Sequence, residues 1–221
     1  MPRATALAAA LVLSLPLGFA SASAAARSSI GEISLEWLPS AAEDGAAAPD
    51  VDLSRLAGVR IRIDRFGDAR PGTAGVVGEN RAGPGPALEV TTDGDVPAFV
   101  TDHFLAILRA QKLPVVDDRL LREMGADIVD KKAIQVRLRG EVRQFLVTET
   151  EHCDAEVRLG VVVEDSQGRP IWTGTSAGRA GRIARSYKAA DYQGALSDAL
   201  LEATRQLLRS PDFLHALEGR R

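Results

Sequence analysis

The chain has 221 residues, with 27 Lys and Arg against 30 Asp and Glu and a formal charge of −3. Charges of both signs are interspersed, which argues against a surface built for a polyanion and sets nucleic acid aside as a partner. Cys153 is the single cysteine, so no internal disulfide can form and the core has to hold the fold unaided.

The chain opens with Arg3 and an apolar run over residues 4–19, followed by Ala22-Ser23-Ala24 and Ala24-Ala25-Ala26, both of A-x-A form. This is the pattern of a secretory signal peptide over residues 1–26. Its apolar part is shorter than the roughly 20 residues that span a bilayer, so the expectation is cleavage and release into the periplasm, or secretion. Residues 27–53 read as an N-terminal strand, where Ile33, Leu35 and Trp37 alternate with polar neighbours, and an Ala-rich flexible linker over residues 40–50. Residues 54–221 read as a single α+β domain with a short C-terminal tail.

Within that domain Val59, Ile61 and Ile63 alternate with Arg60, Arg62 and Asp64, giving a half-buried strand. A glycine- and proline-rich stretch over residues 67–86 follows, with short strands expected at Val76-Val77 and around Leu88 and Val90. Asp95 is placed to cap a helix that has Pro97 in its first turn and Val96, Phe99, Val100, Phe104, Ile107 and Leu108 on one stripe. Pro114 ends it, Val115-Val116 is extended, and residues 119–124 read as a short helix closed by Gly125.

The meander over residues 134–178 organises the rest. Ile134, Val136, Leu138 and Val142 alternate with Gln135, Arg137, Arg139, Glu141 and Arg143; the slip of parity before Phe145-Leu146-Val147 predicts a bulge. Glu149, Glu151, His152 and Asp154 read as an exposed connection to a second strand, in which Ala155, Val157, Leu159, Val161 and Val163 face one way. Asp165-Ser166-Gln167-Gly168 supplies the turn into a third strand at Ile171 to Thr175. The glycines and arginines of residues 178–185 read as a basic loop. Asp191 is the expected cap of a last long helix with Leu196, Ala199, Leu200, Ala203, Leu207 and Leu208 inside, and Pro211 opens a short terminal helix.

The fold class that results is α+β: a mostly antiparallel sheet with two principal helices packed on one face, resembling small envelope accessory domains. The other face would carry Arg60, Arg62, Arg137, Arg139, Arg143 and Arg158 among Asp64, Glu141 and Glu156. Arg137, Arg139, Arg158 and Trp172 are the candidates for a protein interface, since mixed charges set register and aromatics anchor contacts, with packing under a loop or on the covered sheet face as the plainer alternative for Trp172. Asp68, Arg70, Arg179, Arg182 and Arg185 are the candidates for binding a small or anionic ligand, with a turn-fixing role for Asp68 and Arg70 as the plainer alternative.

No catalytic residue, metal site or cofactor is expected. His103, His152 and His215 lack zinc-motif spacing, and the adjacent His152-Cys153-Asp154 cannot all point into one site from an extended segment.

Several features in order resemble the YajG-type envelope lipoprotein family of small exported bacterial proteins. They are Val59-Arg60-Ile61-Arg62-Ile63, Asp68-Ala69-Arg70-Pro71 with Val76-Val77-Gly78, the helix that Asp95 opens, the meander, and Leu196-Ser197-Asp198-Ala199-Leu200 opening the last helix. The resemblance implies an accessory module like those of Tol-system proteins and transport auxiliary lipoproteins, without an established activity. The chain departs from it in having no cysteine directly after the signal to carry lipid, so membrane association is expected only through a partner. Gln111-Lys112-Leu113 also replaces the glycine that tends to end the family's first helix. The functional expectation is a non-enzymatic periplasmic accessory or adaptor protein that binds an envelope protein. A binder of an anionic envelope ligand stands second, and a hydrolase third.

Overall fold

In a computed structural model, residues 29–40, 51–72, 75–123, 134–183 and 187–219 are described. The expected signal peptide, nearly all of the expected Ala-rich linker, the expected helix stop at Gly125 and the candidate Arg185 lie outside the described residues. The strands are β1 (Ser29–Glu32), β2 (Arg60–Ile63), β3 (Gly67–Asp68), β4 (Val76–Asn80), β5 (Leu88–Thr91), β6 (Val115–Asp117), β7 (Ile134–Glu149), β8 (His152–Asp165) and β9 (Pro170–Ile183). The helices are α1 (Val96–Ala110), α2 (Asp118–Glu123), α3 (Ala189–Arg209) and α4 (Pro211–Leu217).

β7 is the spine of the sheet. One of its edges pairs antiparallel with β8, which pairs antiparallel with β9. Its other edge takes three parallel partners in succession, β2, β3 and β4. β6 extends β2 in the parallel sense, and β5 and β1 extend β4. The sheet is therefore mixed, which corrects the expectation of a mostly antiparallel one. Alternation of apolar and polar residues fixes which side chains are inside but carries no information on strand direction. Direction follows from the connections: only the meander β7–β9 is joined by tight turns, whereas α1 and α2 lie between the early strands and β7, as parallel pairing requires.

The bulge anticipated in β7 is present, because the register with β8 shifts between Val142 and Gln144. Val136, Leu138 and Val142 before it, and Phe145 and Val147 after it, all point into the core. Glu149, expected in the exposed connection, lies inside. The bulge carries β7's new parity to its end, so Glu149 faces inward and is 1% exposed.

α1 and α3 touch each other, each touches β7, and their apolar stripes join one core with Val157, Leu159, Val161 and Val163 of β8. Asp95 caps α1 by accepting the Ala98 N–H at 2.9 Å. α3 begins at Ala189 rather than behind Asp191, with Lys188 in the cap position; Asp191 falls in the first turn, where its charge complements the helix dipole. α4 is part of the core through Phe213, Ala216 and Leu217. The N-terminal strand lies before the stretch where alternation suggested it: β1 ends at Glu32. Ile33 still donates to the Thr91 carbonyl at 2.9 Å, and further on the Leu38 N–H is taken by the Ser197 hydroxyl of α3 at 2.9 Å.

The expected basic loop is, up to Ile183, the second half of β9. Gly178 in it serves helix packing rather than a turn. A Cβ on Gly178 would lie 1.9 Å from the Ala199 carbonyl oxygen, so only glycine lets α3 cross the strand this closely. The Asp165 turn is as expected, with Gly168 at φ 77° and its N–H on the Asp165 carbonyl at 2.9 Å.

Candidate functional site on the outer sheet face

The registers sort every residue of the meander onto one of two faces. Arg137, Arg139, Glu141, Gln144, Leu146 and Thr148 of β7 stand opposite Glu164, Val162, Gly160, Arg158, Glu156 and Asp154 of β8. Glu156 stands in turn opposite Arg179 of β9. Glu79 of β4 lies beside Thr148, and Glu89 of β5 beside Glu79, so the same row continues across the sheet. This face points away from the buried stripe of the core.

Its charges are organised rather than loose. At the β2 end, Arg137 grips Asp64 through Nε at 3.0 Å and a terminal nitrogen at 2.5 Å, and lies 3.6 Å from Glu164. Arg139 donates to Glu164 at 3.2 Å, while Arg62 joins Asp118 of α2 to the group. Asp64, Asp118 and Glu164 are all buried among these guanidinium groups. This end of the face is a clasp between β2, α2, β7 and β8, and breaking one partner would strand a buried charge.

The other end is open. Glu156 accepts from Arg158 at 2.7 Å and from Arg179 at 3.2 Å. Burial works to raise its pKa, yet the two arginines hold it below the usual carboxylate range. Both cations remain largely in water, Arg179 with 74% of its side chain exposed. Between the charges lie two adjoining depressions that share Gln144 and Leu146. One, of about 400 Å³, is walled by Asp154, Glu156 and Arg179. The other, of about 290 Å³, is walled by Arg70, Glu79 and Glu89. Half-buried Leu146 forms an apolar floor common to both.

The residues singled out in the sequence are distributed as follows. Arg137, Arg139 and Arg158 share this face. Trp172 does not: it stands opposite Val163 on the helix side, with its ring edge-on to Phe213 at a centroid distance of 5.1 Å. Arg70 donates to Asp68 at 2.9 and 2.8 Å and to the Val76 carbonyl at 3.3 Å, closing the turn between β3 and β4 and walling the smaller depression. Asp68 is held below the usual carboxylate range chiefly by the Arg70 hydrogen bonds. Arg179 is on the outer face, but Arg182 is on the helix side, bound to Asp198 at 2.8 Å and to the Leu38 carbonyl at 2.9 Å. The structure thus brings Arg70 and Arg179 to one surface and leaves Arg182 apart, its charge engaged on α3.

Sequence reasoning missed Gln144, Leu146, Thr148, Glu79 and Glu89. The parity slip that marked the bulge held the signal, since counting from Phe145 inward places Gln144, Leu146 and Thr148 outward. His152, Cys153 and Asp154 do not converge: Cys153 is buried on the helix side while its neighbours face out. Burial, with Glu149 nearby, pushes the Cys153 thiol up to about 12, a value at which it is no nucleophile at neutral pH.

Behind Cys153, on the helix side, Glu149 accepts hydrogen bonds from the Tyr192 hydroxyl at 2.7 Å and the Asn80 amide. This buried group ties β4 and β7 to α3. Burial and the Glu149 carboxylate both raise the Tyr192 pKa, keeping the hydroxyl a donor.

No family model and no curated protein matches the chain. Among solved structures it is similar to the DUF330-family protein XCC0632 of Xanthomonas campestris, with 16% identity, a TM-score of 0.49, and coverage of 80% of this chain and 91% of that one. It is also similar to lipoprotein GNA1162 of Neisseria meningitidis, with 15% identity, a TM-score of 0.35, and coverage of 58% and 87%. A third is protein CT253 of Chlamydia trachomatis, with 9% identity, a TM-score of 0.42, and coverage of 72% and 98%. The resemblance to the YajG-type family stands on the sequence motifs alone. Among the described residues no helix is long and apolar enough to cross a membrane.

Proposed function

We propose that this protein is a non-enzymatic accessory or adaptor protein of the bacterial periplasm, binding another envelope protein across the open end of its outer sheet face. The signal-peptide pattern of residues 1–26 supports the compartment. The observation that carries the binding reading is the double depression around Leu146, an apolar floor between fixed charges of both signs. Protein interfaces are built in this way, with an apolar centre that is dehydrated on contact and a charged rim that sets orientation. Holding Arg158 and Arg179 on Glu156 before a partner arrives reduces the side-chain ordering that binding costs. A free anion has less to gain here, because Glu79, Glu89, Asp154 and Glu156 share the face with the arginines.

The experiment is affinity isolation from envelope extracts with the wild-type protein, Leu146→Glu and Arg158→Glu, each checked for intact fold by circular dichroism. One partner recovered with the wild type and lost with both variants is expected. Equal recovery with all three would refute this face as the binding site.

A further inference from the structure

β9 is the last strand on its side of the sheet, and among the described residues it pairs with β8 alone. It is 14 residues long, and its register with β8 runs unbroken from Trp172 to Ile183. In an antiparallel pair alternate residues turn their N–H and C=O groups away from the partner strand, so this edge presents a long row of backbone donors and acceptors. Exposed edges are ordinarily kept short, or are blunted by lysine, proline or bulges. β9 has proline only at its first position, has no lysine, and its register irregularity is confined to the neighbourhood of Ile171. Thr173, Thr175, Arg179, Gly181 and Ile183 are exposed, and Trp172, Gly174, Ala180 and Arg182 on the helix side are only half-buried. The outer face of this edge is open, while on the helix side α3 covers its middle at Ser176 and Gly178.

We propose that β9 pairs antiparallel with β9 of a second copy about a two-fold axis at Ala177, joining two sheets into one. A two-fold axis normal to the sheet keeps each face on its own side, so only residues of like parity can stand opposite each other. With the axis at Ala177, Thr175 meets the partner's Arg179, Thr173 the partner's Gly181, and Ile183 the partner's Ile171. On the helix side, Trp172 meets the partner's Arg182. Every residue from 171 to 183 then has an opposite number, and no arginine faces an arginine.

Other registers are worse. An axis at Arg179 sets that charge against itself, and one at Ser176 leaves Ile183 beyond the end of the pairing. Ile183 is 79% exposed, the most exposed of the large apolar side chains among the described residues, and the Ala177 register covers it. Ala177 on the axis is small enough to approach its own copy. The second copy is favoured over a foreign strand because the edge is self-complementary: β9 has no acidic residue, and its arginines already hold carboxylates of this chain, Arg179 on Glu156 and Arg182 on Asp198. The outer faces of both copies end up on the same side, forming one platform.

The test uses the mature protein, with mass measured by sedimentation across a concentration series. A dimer is expected for the wild type and a monomer for Ala177→Arg, which places two like charges on the axis while leaving an outward-facing side chain that the fold tolerates. In parallel, Ala177→Cys is oxidised under mild conditions, with buried Cys153 silent. Directly opposed residues on paired strands lie about 4.5–5.5 Å apart at Cα, within disulfide reach. Rapid formation of a covalent dimer is expected from Ala177→Cys, and slow formation from Glu141→Cys on the outer face of β7. A wild type that stays monomeric at every concentration overturns the proposal. So does an Ala177→Cys that couples no faster than Glu141→Cys or captures a different polypeptide, and so does an Ala177→Arg that remains dimeric.

Discussion

At Glu149 a buried carboxylate has no cation beside it among the described residues; the Tyr192 hydroxyl and Asn80 amide are what hold it. Removing one of two donors to a buried acceptor leaves its desolvation uncompensated, so Tyr192→Phe should destabilise the fold by about 1–3 kcal/mol in urea unfolding. A change near zero would mean that the hydroxyl does not hold the carboxylate. His103 gives a second residue-scale expectation. It stacks on Trp37 with centroids 4.4 Å apart, and burial holds its pKa below the ordinary 6.5 despite the opposing pull of Asp102. The unfolded chain therefore binds a proton more readily than the folded one just below pH 6.5, and stability falls as pH drops through that window. Asp68 and Asp95 act in a separate one. Their folded pKa values lie below 3.8, so their contribution is present above that value and is lost as pH falls through the folded values. His103→Phe should flatten the upper limb of a stability–pH curve and leave the acid limb, which denaturant midpoints taken from pH 8 to pH 3 would show.

At the scale of elements, local pattern located most of the pieces and tertiary contact decided the rest. Asp95 and Pro97 announced α1, and the slip before Phe145 announced the bulge, because each is a local steric or hydrogen-bonding requirement. The glycines of β9 misled because their cause is not local: Gly178 answers to Ala199, which is distant in sequence. Gly178→Ala should cost about 3 kcal/mol, the upper end of what overpacking costs, since the new methyl meets helix backbone that cannot rotate aside, and thermal melts would register it. Leu200, fully buried on the inner side of the same helix, should cost about 2–5 kcal/mol on truncation to alanine, measured the same way. A loss well under 1 kcal/mol at Leu200 would place the α3 stripe outside the core. The outer-face depressions could not be read ahead because Glu79, Glu89 and Gln144 meet only through the parallel pairing of β4 with β7.

For the whole molecule, the mixed sheet is what gives the chain its two unlike sides. α1, α3 and α4 and their apolar stripes close one side, while the long meander holds paired charges around the depressions floored by Leu146 on the other. Under the proposed function this division makes the chain a platform, with the face around Leu146 as the proposed partner site. The most direct measurement is photocrosslinking in intact cells from a benzophenone amino acid placed at Leu146, with the same probe at Gln206 on the exposed side of α3 as reference. The expected result is one discrete adduct with another envelope protein from position 146 that is absent from position 206. The same adducts from both positions, or none from 146 with the folded protein present in the cell, would contradict it.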